Sequence, residues 1–328
     1  MTLRIGILGA ARIAPAACIK PAQRTDGVEV VAIAARDQAK ARAFATKHGI
    51  DRVHASYRDL LDDPEIDAIY NPLPNGLHGA WTLRSIDAGK HVLCEKPFAA
   101  NATEATMVTE AIEAQDRVVM EAFHYRYHPM MLRALEVIAS GELGEITGID
   151  TTMCIPLPLR NDIRYQIGLA GGALMDIGCY AVHLWRSLAG AEPSVVSARS
   201  KTLSAGIDRW TTATFAAGDI SGSMTCALLS ASVLRLSAKV TGTEGTMSLF
   251  NPLGPQAYNR TKITTGSGSR VEHAVRIPTY SFQMEAFRDA IVTGAAFPTT
   301  ARDAIATMSI IDNVYEAADL EVRQPTAI

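Results

Sequence analysis

Short, nearly unbroken apolar runs alternate with amphipathic segments through the first third of the chain. "LRIGIL", "VEVVAIAA", "DAIYN", "HVLCE" and "RVVMEAF" read as strands, with a weaker one near "RVHAS". Runs that lack polar alternation suit strands covered on both faces. The segments between them carry helix punctuation. Asp37 caps a helix that stops at Gly49, and Ser56 caps one reaching Leu61. The helix from His78 stops at Gly89, and Asn101 caps one that runs to Gln115. Repeated strand–helix–strand units predict an α/β domain with a parallel, doubly wound sheet over residues 1–123.

The pattern changes after Phe123. A helix is expected from Pro129 to Ser140, ending at Gly141. Then come segments in which apolar and polar residues alternate: "GEITGIDTTM", "SVVSARSKT", "WTTATFAAG", "ISGSMTCALL", "RLSAKVTG" and "GTMSLFN". Alternation predicts a mostly antiparallel sheet with one wet or partner-covered face. Helices return at Tyr280–Thr293 and Ala301–Ala318. Residues 124–328 therefore read as a second, α+β domain.

Composition narrows the function classes. The chain has 328 residues and a formal net charge of −3, which offers no electrostatic bias towards nucleic acid or a membrane surface. Its five cysteines show no paired spacing and read as reduced, buried thiols, so a cytoplasmic location is expected. Small residues precede Cys18 as in a lipoprotein signal, but Arg12 breaks the apolar run. No apolar stretch approaches the ~20 residues of a membrane span.

"GILGAARIA" follows the first strand and opens a helix. Such a turn brings backbone amides and a helix N-terminus against a pyrophosphate. Gly9 holds the tight-turn position, Ala10, Ala11, Arg12 and Ile13 follow, and Ala14 stands at the third glycine's place. The dinucleotide fingerprint is thus degraded, and its setting between strand and helix carries the reading. The end of the second strand bears on the choice of cofactor. An acid about 20 residues beyond the turn would receive the ribose hydroxyls of NAD. Here Ala34 and Ala35 stand there, with Arg36 next. Arg36 can pair with a 2′-phosphate, which predicts NADP with NAD as the alternative. The competing reading makes Arg36 a solvated charge flanking a helix.

With "GILGAARIA", "NPLPNGLH", "GKHVLCEKPFA" and "GGALMDIGCYAVH" in this order, the chain resembles the Gfo/Idh/MocA oxidoreductases along its length. Within them it is similar to the branch of dihydrodiol dehydrogenases, bacterial xylose dehydrogenases and glucose–fructose oxidoreductase. That branch carries tyrosine at the position of Tyr180. The resemblance implies a Rossmann domain, an open-faced sheet that forms a homodimer or homotetramer, and a sugar, polyol or cyclic diol as substrate. It also implies cofactor contacts from Leu73, Asn75 and His78, in the loop after the fourth strand.

The residues themselves suggest a division of labour. Ligands of doubly wound sheets sit beyond the carboxyl ends of the strands, so Lys96 is expected in that crevice, with Glu95 placed to meet the ribose or to neutralise the site. Pro97 keeps Lys96 extended. In "GGALMDIGCYAVH", Asp176 and Tyr180 share a helical face at i and i+4, with His183 near the stripe. A free tyrosine titrates near ~10, and an ammonium about 4 Å away contributes around 4 kcal/mol at an effective dielectric of ~20. Tyr180 is therefore expected as general acid/base, with Lys96 lowering its pKa and Asp176 orienting the substrate hydroxyl or Lys96. The reversed assignment, with Lys96 as proton carrier, stays open. Tyr125 and Arg126 are expected at the nicotinamide end. Arg160, Asp162 and Arg164 in "PLPLRNDIRYQ" form either a wall of a polyol pocket or an exposed loop. Glu121, His124 and His128 superficially suggest a metal, but the first lies in a strand, so the helical ligand spacing does not apply and no metal is expected. Two other functions compete with a dehydrogenase: redox-assisted glycoside cleavage and a non-catalytic NADP sensor.

Overall fold

The structure, a computed structural model, describes residues 2–158, 162–203, 206–229 and 234–328. They divide into two compact units. The first contains Met1–His124, Tyr280–Ile305 and Pro325–Ile328, and the second contains Tyr125–Thr279 and Ala306–Gln324.

The first unit is built on strands β1 (Leu3–Leu8), β2 (Val28–Ala34), β3 (Arg52–His54), β4 (Ala68–Asn71), β5 (His91–Cys94) and β6 (Val119–Glu121). All pair in parallel, in the order β3-β2-β1-β4-β5-β6. The strand order reverses between β1 and β4, which is where such sheets open a ligand crevice. Burial explains the apolar runs: every residue of β4 is buried, as are all but Arg4 in β1. The expected caps are present. Asp37 accepts from the amides of Ala39 and Lys40, Ser56 from Asp59, and Asn101 from Glu104. One local difference follows the phosphate-type turn, where Pro15–Ile19 forms a π-turn before a short α-helix, Lys20–Ala22. Pro21 has no N–H to donate back along the helix, so regular α-hydrogen bonding cannot run through it.

The second unit holds β7 (Ile146–Cys154), β8 (Ser194–Thr202), β9 (Asp208–Ala217), β10 (Ile220–Ala227), β11 (Arg235–Gly242), β12 (Gly245–Phe250), β13 (Arg260–Thr265) and β14 (Gly268–Glu272). They lie in the order β14-β13-β12-β11-β7-β10-β9-β8. All neighbours are antiparallel except β10 and β7. Alternation works as expected: Met247 and Leu249 of β12 are buried, while Ser248 and Phe250 face outward. The β13–β14 hairpin is an addition to the sequence expectation. Its strands are mainly polar, and β14 is an edge strand, so the apolar signal is weak.

One helix packs into this sheet. Trp185 Nε1 donates to the Ile149 carbonyl at 2.8 Å, Thr151 Oγ1 donates to the Ala181 carbonyl at 3.0 Å, and the Trp185 ring meets Phe215 edge-on at 5.5 Å. Burying one such large apolar side chain contributes roughly 1.5–3 kcal/mol. The stretch Ile167–Ala189 is, by length and composition, apolar enough to cross a membrane, contrary to the sequence expectation. Its apolar window is 83% buried within the protein, as befits a core helix.

Candidate active site

In the first unit, Gly9 has φ 87°, a left-handed conformation that a side chain disfavours, and a Cβ there would lie 3.3 Å from the Leu73 side chain. Its amide donates to the Ala34 carbonyl at 2.7 Å, which ties the turn to β2. Ala10 and Ala11 are half-buried, Arg12 and Ile13 are exposed, and Ala14 is fully buried under the turn. Arg36 is exposed at the end of β2. Tyr57, which the sequence reading treats only as the start of a helix, joins these two places. Its hydroxyl lies 3.6 Å from where a Gly9 Cβ would be and accepts from the Arg36 amide. Its ring packs edge-on against Trp81 at 4.8 Å. Burial raises the Tyr57 pKa against the pull of Arg36. No helix-cap or strand pattern singles out this tyrosine.

The loop after β5 is fixed at each step. The Tyr70 hydroxyl donates to Glu95 Oε1 at 2.7 Å. The Phe98 amide donates to Glu121 Oε1 at 2.9 Å, and the Ala100 amide to Glu104 Oε2 at 2.7 Å. His78 is 1% exposed, with Nδ1 2.7 Å from the Pro97 carbonyl and Nε2 2.6 Å from the Leu73 carbonyl. Burial pushes the His78 pKa down to about 4, and the nearby Lys96 ammonium adds to this. A neutral imidazole donates from one nitrogen only. One contact is then a donated hydrogen bond, and the other a close approach that protonation would relieve. His78 thus clamps two loops, with its polar atoms turned inward. Asn75 opens the short 3-10 turn Asn75–Leu77, beside the clamp. From Val92 to Asn101 every residue is buried except Lys96, which is half-buried and precedes a cis peptide bond to Pro97. The buried Glu95 carboxylate adds to the burial that raises the pKa of Tyr70 and Tyr280, and it acts in the same direction on Cys18.

In the second unit, the helical segment that carries Asp176 and Tyr180 begins as a π-turn, Leu174–Gly178, and becomes α-helix at Cys179–Ala189. Gly178 brings it close to β10, since a Cβ there would come within 2.8 Å of Cys226 Sγ. Asp176, Tyr180 and His183 are all buried on this segment. Asp176 Oδ1 pairs with Arg164 Nε at 2.9 Å, and Arg164 Nη1 also reaches Asp162 Oδ1 at 3.1 Å. Burial opposes the Arg164 charge, but the Asp176 and Asp162 carboxylates outweigh it and raise its pKa. Of the "PLPLRNDIRYQ" charges, Arg164 therefore bridges Asp162 and Asp176; Arg160 lies outside the described residues. Tyr125 is fully buried, shares a 2.5 Å hydrogen bond with His183 Nδ1, and places its ring 6.1 Å from that of Tyr180. It backs Tyr180 as packing. Arg126 is half-buried in the 3-10 turn His124–Tyr127. The His124 ring packs at a tilt against that of Tyr280, 4.1 Å away in the first unit, and His128 Nδ1 caps the helix Pro129–Ala139.

Comparison with known proteins adds a third line of observation. Residues 3–123 match the family model described as "Oxidoreductase family, NAD-binding Rossmann fold", and residues 131–248 match "GFO/IDH/MocA C-terminal domain". An uncharacterized oxidoreductase of Rhizobium meliloti is 36% identical and covers 97% of both chains. D-xylose 1-dehydrogenase (NADP(+)) 2 of Haloferax volcanii is 35% identical over 97% of this chain and 98% of its own. Among solved structures, a 3-ketoreductase from Actinomadura kijaniata in complex with NADP and TDP-benzene matches with a TM-score of 0.88 at 25% identity, over 97% of this chain and 98% of the other.

Proposed function

The chain belongs to the Gfo/Idh/MocA oxidoreductase family, and we propose that it is an NADP-dependent dehydrogenase or reductase acting on a secondary alcohol or ketone of a sugar, polyol or cyclic diol. The observation that carries this reading is the loop after β5. Its neighbours are anchored and buried, and an ammonium, Lys96, is the group left half-buried at the carboxyl end of the strand. The nucleotide end fits a phosphorylated dinucleotide. Gly9 allows close backbone approach, and Arg36, with Tyr57 beside it, stands where an NAD-type acid is missing. The full-length relative named as an NADP-dependent xylose dehydrogenase supports both the cofactor and the substrate class.

When bound, the nicotinamide supplies or accepts the hydride. Tyr180 moves the hydroxyl proton as general acid/base. Arg164 holds Asp176 through its Nε at 2.9 Å, which sets the direction of a carboxylate that receives a substrate hydroxyl. Packing against Tyr125 limits the motion of the Tyr180 ring.

A panel of sugars and cyclic diols, read by the absorbance of reduced nicotinamide, tests this reading. Turnover with NADP on D-xylose or another member of the panel is expected. Tyr180→Phe should lower kcat by about 10²–10⁴-fold while leaving the NADP Kd unchanged. If Tyr180→Phe keeps most of kcat, Tyr180 is not the proton carrier and the role passes to Lys96.

A further inference from the structure

We infer that Arg323 and Asp208 are positioning residues for Tyr180 and Asp176, so that the C-terminal tail of the chain sets the aim of the proton-transfer helix. The inference rests on the acid/base assignment of Tyr180 above.

Asp208 opens β9 and is fully buried. Its Oδ2 accepts from the Leu174 amide at 2.7 Å, the first residue of the π-turn that leads to Tyr180, and from Thr211 Oγ1 at 3.2 Å. Its Oδ1 accepts from Arg323 Nη2 at 2.9 Å and from the Tyr315 hydroxyl at 3.1 Å. A carboxylate at a helix N-terminus satisfies an otherwise unpaired amide and complements the helix dipole. Here it does so from a distant strand.

Arg323 lies beyond the last helix, Ala301–Ala317, in a segment without regular structure. Its side chain is 1% exposed. Nε donates to the Gly171 carbonyl at 2.8 Å, Nη2 to the Gly206 carbonyl at 3.1 Å, and Nη1 to the Glu321 carbonyl at 3.1 Å. The guanidinium also stacks on the Tyr315 ring at 4.3 Å. Gly171 and Gly172 are the turn that this network grips. Gly172 has φ 130°, and a Cβ there would collide with Asp208 Oδ1. The Gly172 amide donates to the Arg164 carbonyl at 2.8 Å, and the Asp176 amide to the Gly172 carbonyl at 3.0 Å. Arg323 therefore fixes the turn from which both Arg164 and Asp176 are hung. The guanidinium donates to a carboxylate and three separate carbonyls, more partners than the three N–H groups of a lysine ammonium can serve, which is why lysine is a poor substitute.

The alternative is a stabilising network with no bearing on the tyrosine. A double-mutant cycle separates the two, because groups that act through one another are non-additive. Arg323→Lys, Asp208→Asn and each combined with Tyr180→Phe are assayed with NADP and the sugar of strongest signal in the panel. Expected is a kcat loss of about 10–100-fold in the single variants, an NADP Kd within about twofold of wild type, and less than about threefold further loss in the Tyr180→Phe background. A kcat near wild type in folded variants overturns the inference, as does an equal multiplicative loss in both backgrounds. If the single variants do not fold, the neutral pair Arg323→Met with Asp208→Leu removes both charges together. Full activity in that pair also overturns the inference, and a loss of kcat with an unchanged melting profile supports it. If Tyr180→Phe itself keeps kcat, the parent assignment fails and takes this inference with it, whatever the cycle shows.

Discussion

Two segments of the molecule hold their functional side chains still by different means. The loop after β5 is held by partners close in sequence. Glu104 reaches back four residues to Ala100, His78 lies nineteen from Pro97, Glu121 twenty-three from Phe98, and Tyr70 twenty-five from Glu95. The turn and helix at Gly171–His183 are held by partners far away. Asp208 is 34 residues from Leu174, Tyr125 is 58 from His183, and Arg323 is 152 from Gly171. The first segment spreads its anchoring over several separate hydrogen bonds. The second rests the grip on its glycine turn on one buried ion pair, Arg323 with Asp208. Dispersed anchors can be lost singly at modest cost, whereas a concentrated one fails as a unit, because each charge depends on the other for its solvation.

The largest effect on stability is therefore expected in the second segment. Asp208→Leu leaves the Arg323 guanidinium buried without its carboxylate and should cost about 3–5 kcal/mol, measured by urea unfolding. In the first segment the main liability is pH. The folded pKa of His78 is depressed to about 4, with burial as the leading cause, against an ordinary value of 6.5. Its contribution to stability is present above about pH 6.5 and is lost as pH falls towards 4. Relative to His78→Asn, the wild type should lose up to roughly 3 kcal/mol across that window, an order-of-magnitude figure. Denaturation curves of both proteins from pH 7 to 4 check this; parallel profiles would sink it.

Smaller effects sharpen the contrast at sites outside both anchored segments. Arg36→Ala should reduce the preference for NADP over NAD about tenfold in kcat/KM, since Arg36 is exposed and its pairing is partly screened. Comparable kcat/KM for the two cofactors in the wild type, unchanged by the substitution, would remove the 2′-phosphate reading. The least effect belongs to the surface cluster of Arg270 and Glu272 on the edge strand with Arg133 of the helix Pro129–Ala139. Glu272→Gln should shift the thermal midpoint by no more than about 3 °C, and less at high salt.

The same contrast in sequence separation explains what could be read before the structure. The parallel strands were legible where two-sided burial demands apolar runs; β3, only half-buried, gave the weaker signal. The caps at Asp37, Ser56 and Asn101 were legible because a cap is a local pattern. Lys96 and Glu95 stood out because a charged pair closing an apolar strand is a local anomaly. The β13–β14 hairpin was missed because an edge strand needs few apolar residues. The parallel pairing of β10 with β7 leaves no mark in either strand's own pattern. Tyr57, Arg164 as the partner of Asp176, and Arg323 were not assigned these roles for a related reason. Each is an ordinary residue whose importance comes from what folds against it.

The sequence by itself determined the fold class, the doubly wound nucleotide end, and the positions of Lys96 and Tyr180 on their elements. Those follow from periodicity and capping, which act over a few residues. Only the tertiary structure decided that His78 turns inward to clamp two carbonyls, that Asp176 answers to Arg164, and that a tail arginine grips the glycine turn. These depend on which distant groups are buried together, and the strength of a buried polar contact is set by surroundings that no local pattern records.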